Sequence, residues 1–160
     1  MAQDLFTLLN LAFGVLSIFF SIKRDFFIAV IFMVAAVLFD YLDGKVGRML
    51  NKAHEFGKEL DSLADVVSFG AAPAVFGFAY AGESLLLTVS LIVFVMCGAL
   101  RLARFNVTKI KGGYEGMPIT INGLIIPLLY FAMLPLKYYF AAYLISALLM
   151  ISSFRVRKII

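Results

Sequence analysis

Apolar stretches nearly as long as a bilayer is thick recur along this chain, and they constrain its fold more than any other feature. A membrane-crossing helix needs about 20 largely apolar residues at about 1.5 Å rise each. Six stretches approach that length: about 5–22, 26–50, 59–80, 84–105, 119–136 and 137–154. Lys23, Arg24 and Asp25 end the first, and Ala81, Gly82 and Glu83 make the turn after the third. Of 160 residues, 63% are hydrophobic and 15% charged, with a mean hydropathy of +1.00. A soluble domain carries about 45–50% apolar and about 25% charged residues, so lipid is the expected solvent. Turns this short force neighbouring helices antiparallel. The expected fold is therefore all-α: a polytopic membrane protein with six transmembrane helices in one bundle, a single domain over 1–160 without repeats. No signal peptide is expected, because Met1 to Asp4 has no positive n-region.

Basic residues set the expected orientation. Lys45, Arg48, Lys52, Lys58, Arg101, Arg104, Lys109, Lys111, Arg155, Arg157 and Lys158 would share one side of the membrane. Only Lys23, Arg24 and Lys137 would lie on the other. Both termini are thus expected in the cytoplasm of a multi-pass protein of the cell membrane. The net charge of +4 suits anionic headgroups, and no motif supports a nucleic-acid partner. The lone Cys97 excludes an internal disulfide, and His54 has no second ligand type for zinc.

The stretch DYLDGKVGRMLNKAHEFGKELDSLAD, residues 40–65, stands out because it places charge beside hydrocarbon. Helix arithmetic puts Asp40 about 21 Å from Phe26, Asp65 about 22 Å from Tyr80, Arg101 about 24 Å from Leu85 and Asn10 about 18 Å from Ile22. All four groups fall at one shallow level, which suggests a shared cavity open to the cytoplasm. Asp40 and Asp43 are i,i+3 and share a helix face; Asp61 and Asp65 are i,i+4 and share another. Four converging carboxylates repel unless neutralised, and two divalent cations would balance them. Oxygen ligands favour hard ions such as Mg²⁺, Mn²⁺ or Ca²⁺. The competing reading pairs the acids with Lys45, Arg48, Lys52 and Lys58 at a solvated helix end, which suits Glu55 and Glu59 better than the aspartates. Gly44, Gly47 and Gly57 would let a bulky group approach the backbone, and Arg48 offers a planar fork for phosphate. Gly14 and Gly98 read as helix-packing contacts. A cation transporter is the rival class, since intramembrane acids often mark ion pathways. Against it, nothing polar continues to the opposite face.

The whole pattern reads D-x2-D-G-x2-G-R-x8-G-x3-D-x3-D, from Asp40 through Asp43, Gly44, Gly47, Arg48, Gly57 and Asp61 to Asp65. It closely resembles the CDP-alcohol phosphotransferase motif, D-x2-D-G-x2-A-R-x8-G-x3-D-x3-D. Gly47 stands where that family usually has Ala, a loss of one methyl that leaves the charge chemistry intact. TLLNLAFGVLSI (7–18), DSLADVVSFGAAPA (61–74), RLARFN (101–106) and GMPIT (116–120) resemble the phosphatidylserine synthase branch. The resemblance implies six spans, a homodimer, and transfer of a phosphatidyl group from a CDP-diacylglycerol-type lipid to L-serine, releasing CMP. It implies that Asp40, Asp43, Asp61 and Asp65 hold two Mg²⁺ or Mn²⁺ ions, with Asp65 also the general base.

On that reading Thr7, Asn10, Asp43, Gly44, Arg48, Gly57 and Asp61 would face the CDP portion; the competing reading of Thr7 is helix capping or back-bonding to a carbonyl. Arg101 and Arg104 would take the serine carboxylate bidentately, or else meet lipid phosphates or balance the aspartates. The glycine-rich segment 109–116 would be a lid or a plain connection. Glycerol phosphate or an inositol phosphate remains an alternative acceptor.

Overall fold

A computed structural model of the chain describes residues 2–50, 55–107, 113–152 and 155–157. The fold begins with an antiparallel hairpin, α1 (Ala2–Ile22) and α2 (Phe26–Leu50). Phenylalanines a heptad apart on each helix form its seam: Phe13 stacks on Phe39 and Phe32 at 5.0 and 5.8 Å, and Phe20 meets Phe32 at 5.4 Å. The turn between them puts Arg24 in the left-handed region (φ 61°). Asp25 then caps α2, its Oδ1 accepting from the Ile28 N–H at 3.4 Å.

The third apolar run folds as α3 (Glu55–Asp65), a π-helical turn (Val66–Ala71) and α4 (Ala72–Ala81). Its sequence explains the widened turn. In a regular α-helix the Pro73 ring would clash with the carbonyl four residues earlier, at Phe69, and a π-turn relieves that clash. The widened turn presses on α1: Ser68 Oγ donates to the Asn10 carbonyl at 3.1 Å, and a methyl on Gly14 would collide with Ser68. α5 (Leu85–Val107) follows, capped by Ser84 Oγ on the Leu87 N–H at 3.1 Å.

The chain returns through β1 (Gly113–Glu115), which pairs antiparallel with β2 (Arg155–Arg157). The described residues are otherwise helical and irregular, so the all-α expectation describes the membrane body, and this short ribbon lies beyond it. A single-turn 3₁₀ segment (Ile119–Ile121) leads into α6 (Asn122–Phe131), and another (Leu136–Tyr138) into α7 (Tyr139–Ile151).

Among the described residues, four helical segments are long and apolar enough to cross a membrane: Asp4–Ile22, Phe26–Gly47, Phe56–Ala81 and Leu85–Val107. The chain is a multi-pass membrane protein on that ground. The fifth and sixth runs form shorter apolar helices, Ile119–Phe131 and Leu136–Ile151. They extend about 20 and 24 Å at the standard rise. The fifth run stops short of residue 136 because Met133 adopts φ 51° and Pro135 follows; the sixth stops at Ile151, short of residue 154. The core lies where α2, α4, α5 and α7 meet. Met33, Phe76, Phe94, Tyr139 and Tyr143 are fully enclosed there, and Tyr143 donates to the Pro73 carbonyl at 2.5 Å.

Candidate active site

Polar side chains of α1, α2 and α3 converge in one cluster. Asp40 from α2 and Asp61 and Asp65 from α3 each place a carboxylate oxygen within 4.8 Å of the others. The i,i+4 spacing of Asp61 and Asp65 puts both on the α3 face toward α2. The π-turn begins immediately after Asp65, so the chain changes helical pitch at the site's inner edge. Asp65 is buried, while Asp40 and Asp61 are half-buried.

α1 supplies the neutral partners. Asn10, fully enclosed, donates from Nδ2 to Asp65 Oδ1 at 3.2 Å. Its backbone carbonyl is held by Ser68, which fixes the height of the amide against α3. Thr7 Oγ1 donates to Asp43 Oδ2, and both side chains are buried. Asp43 lies close enough to Asp40 and Asp61 for its charge to act on both. The structure thus brings Thr7, Asn10, Asp40, Asp43, Asp61 and Asp65 together.

This donor set fits a hard divalent cation. Asp40 and Asp65 meet side chain to side chain, which demands a proton or a cation between them. Asn10 presents its Nδ2 to this cluster, and its Oδ1 is buried and has no hydrogen-bond partner among the described residues. Three carboxylates, with no sulfur or imidazole joining them among the described residues, match the ligand preference of Mg²⁺ or Mn²⁺. These observations favour a cation site over the reading of acids paired with nearby lysines.

The remaining sequence-derived residues fall into three groups. Gly44 is exposed, and a methyl there would meet nothing within 4 Å, so its α2 face borders open space. Gly57 is buried, and a methyl there would make ordinary contact, at 3.5 Å, with Asp4 Oδ1. Arg101 is half-buried on α5, whereas Arg104, three residues on, is exposed. The Arg48 side chain, Lys52, His54 and residues 109–112 of the glycine-rich segment lie outside the described residues.

Two participants emerge only from the fold. Thr120, on the 3₁₀ turn before α6, places its hydroxyl beside Asp40. Asn106, near the end of α5, bonds to Ser62 and Glu59 of α3. Both lie in short segments noted in the sequence, GMPIT and RLARFN, but nothing in their local pattern says which helix they reach.

Residues 2–156 match the family described as CDP-alcohol phosphatidyltransferase, so the chain belongs to that family. Its relatives narrow the comparison. The chain is similar to an archaetidylserine synthase of Methanothermobacter thermautotrophicus, with 42% identity over 131 residues, 79% of this chain and 56% of that protein. It is 38% identical over 143 residues to a CDP-diacylglycerol–serine O-phosphatidyltransferase of Helicobacter pylori, covering 86% of this chain and 59% of that protein. A Bacillus subtilis protein of the same description is 33% identical over 133 residues, covering 81% of this chain and 75% of that protein. The chain therefore spans rather less than two thirds of the first two relatives.

Proposed function

We propose that this chain transfers the phosphatidyl group of a CDP-diacylglycerol-type lipid, acyl- or ether-linked, to the hydroxyl of L-serine, giving phosphatidylserine or its ether-lipid equivalent and CMP. The observation that carries the reading is the convergence of Asp40, Asp61 and Asp65 within 4.8 Å on two helices, in a chain matching this family throughout. Relatives described as serine transferases or archaetidylserine synthase support serine as acceptor.

Asp40, Asp43, Asp61 and Asp65 would hold two divalent cations, Mg²⁺ or Mn²⁺. When bound, these supply charge neutralisation for the diphosphate and for the departing CMP phosphate. The chain's own residues do the rest. Thr7 and Asn10 hold Asp43 and Asp65 in place through the bonds described above. Gly44 leaves room for the CDP moiety, Gly57 lies against it, and Arg48 takes a phosphate oxygen pair. Asp65 accepts the serine hydroxyl proton as the new O–P bond forms and the bond to CMP breaks. Arg101, the better shielded of the two arginines, binds the serine carboxylate, with Arg104 at the rim. The attack is direct, so no covalent enzyme intermediate forms.

In the membrane the chain forms a single six-helix domain, with α6 and α7 as the fifth and sixth spans and the aspartates near the cytoplasmic face. Both termini face the cytoplasm of the cell membrane, as the distribution of basic residues favours, and the chain works as a homodimer. Purified protein given CDP-diacylglycerol, Mg²⁺ and a panel of alcohols tests the reading by CMP release. Serine-dependent release is expected; release driven only by glycerol phosphate or an inositol phosphate would overturn the acceptor.

A further inference from the structure

Asn106 bridges α5 to α3 in a way that leaves one of its atoms unmatched. Its Nδ2 donates to Ser62 Oγ at 2.9 Å and to the two Glu59 carboxylate oxygens at 3.4 and 3.5 Å. Those partners dictate the amide's orientation. The Ser62 hydroxyl gives its proton to the Lys58 carbonyl at 3.1 Å, so its oxygen can only accept from Asn106; the Glu59 carboxylate likewise only accepts. Lys58 is engaged nearby, its Nζ donating to the Asn106 carbonyl at 3.4 Å and sitting 5.5 Å from the Phe105 ring. The opposite atom, Asn106 Oδ1, is shielded from solvent and has no hydrogen-bond partner among the described residues. A buried acceptor left so is destabilising, and a ligand bearing N–H donors would relieve it.

The position of this atom tells which ligand. Lys58, Ser62 and Asp65 follow one line along α3 at i, i+4 and i+7. Ser62 precedes Asp65 by three residues, about 4.5 Å along the axis. Asn106 therefore stands one helical turn from the carboxylate proposed to take the acceptor's proton, with the negative Glu59 beside it. An acceptor whose hydroxyl lies at Asp65 and whose chain runs along α3 toward Ser62 would bring a group two carbons away toward this amide. We propose that Asn106 Oδ1 and Glu59 form an ammonium subsite, which selects an alcohol carrying a protonated amine next to its reactive hydroxyl. Such an amine supplies three N–H donors for Oδ1 and a positive charge for Glu59. A glycerol or inositol phosphate offers no cation there and would set an anion against Glu59. The inference rests on the serine reading above and deepens it, by assigning the residues that separate an amino alcohol from phosphate-bearing acceptors.

Full-length protein in detergent, with CDP-diacylglycerol and Mg²⁺, tests the assignment through CMP release with L-serine, N-acetylserine and glycerate. The wild type should use serine, and neither analogue should be turned over or compete with it. Asn106→Leu should raise the serine KM roughly tenfold or more, the scale of one lost bond to a charged group, while the CDP-lipid KM stays within about twofold. Glu59→Gln, at an exposed side chain, should raise the serine KM about threefold in the same selective way. If glycerate or N-acetylserine competes with serine as well as serine itself binds, the amine is not read and the subsite is refuted, even if Asn106→Leu does not fold. An unchanged serine KM in Asn106→Leu, or an equal rise in both KM values, would also refute it and leave Asn106 a structural bridge. Absence of serine turnover in the wild type would overturn the serine reading and this inference together, whereas the preceding outcomes leave serine transfer intact.

Discussion

The bundle has two unlike ends, and α2 reaches both. Toward one end, Phe26, Phe76, Tyr80, Tyr130 and Tyr139 form a ring cluster with centroids 5.0 to 5.8 Å apart. Toward the other, Asp40, Asp43, Asp61 and Asp65 gather with Thr7 and Asn10. The ring cluster is held by its own packing, since aromatic pairs gain about 0.5–1.5 kcal/mol each beyond area burial. Within a bilayer, where lipid tails are as apolar as leucine, such close packing is what holds helices together. The aspartate cluster is incomplete, because carboxylates in low dielectric repel until something positive arrives. One half therefore holds the bundle, and the other stores a demand for a cation.

Removing metal should break the contrast most severely. EDTA should abolish CMP release and lower the Tm, and Mg²⁺ or Mn²⁺ should restore both; a chelator-resistant enzyme would end the cation account. Next in size, Asp65→Asn should cut turnover by about 10²- to 10⁴-fold, the usual contribution of a general base, with CDP-lipid binding retained. In chelator this variant should melt higher than the wild type, having lost one crowded charge; near-normal turnover would exclude Asp65 as the base. Phe76→Ala, in the ring cluster and fully enclosed, should cost about 3–5 kcal/mol of stability. That loss should appear equally with and without metal in thermal melts, since the ring cluster does not depend on the cation. Arg101→Ala should raise the serine KM about tenfold, the effect of about 1.4 kcal/mol, and leave the CDP-lipid KM nearly unchanged. The smallest structural effect is expected from Gly44→Ala. A methyl there meets nothing in the fold, so stability should change by no more than about 1 kcal/mol, in the direction of helix propensity. Its CDP-lipid KM should nonetheless rise, because the methyl would occupy the space left for the nucleotide; an unchanged value would place the CDP moiety elsewhere.

The Asp-rich pattern was legible because spacing alone aligns residues on one helix face. Asp40 with Asp43, and Asp61 with Asp65, needed only the period of the α-helix. Arithmetic on helix rise placed Asn10 at the same depth as the acids, and the fold joins it to Asp65. The packing roles expected of Gly14 and Gly98 also hold: a methyl on either would collide, with Ser68 and Ile119 respectively. Less was legible where the backbone departs from regular geometry. The π-turn before Pro73 and the early end of α6 at Phe131 both arise from local steric conflicts inside runs that read as uniformly apolar. Thr120 and Asn106 were hidden for another reason: their partners, Asp40 and Ser62, lie 80 and 44 positions away in the chain.

By itself the sequence determined that this chain lives in lipid, how its first four spans divide, and which acids share a helix face. These follow from hydropathy and from the 3.6-residue turn, and neither depends on distant contacts. Only the tertiary structure decided that Asp40 of α2 meets Asp61 and Asp65 of α3, that α1 supplies Asn10 and Thr7 to them, and that α5 lays an amide one turn away. Periodicity orients a side chain about its own helix axis; which neighbour it faces depends on how whole helices pack.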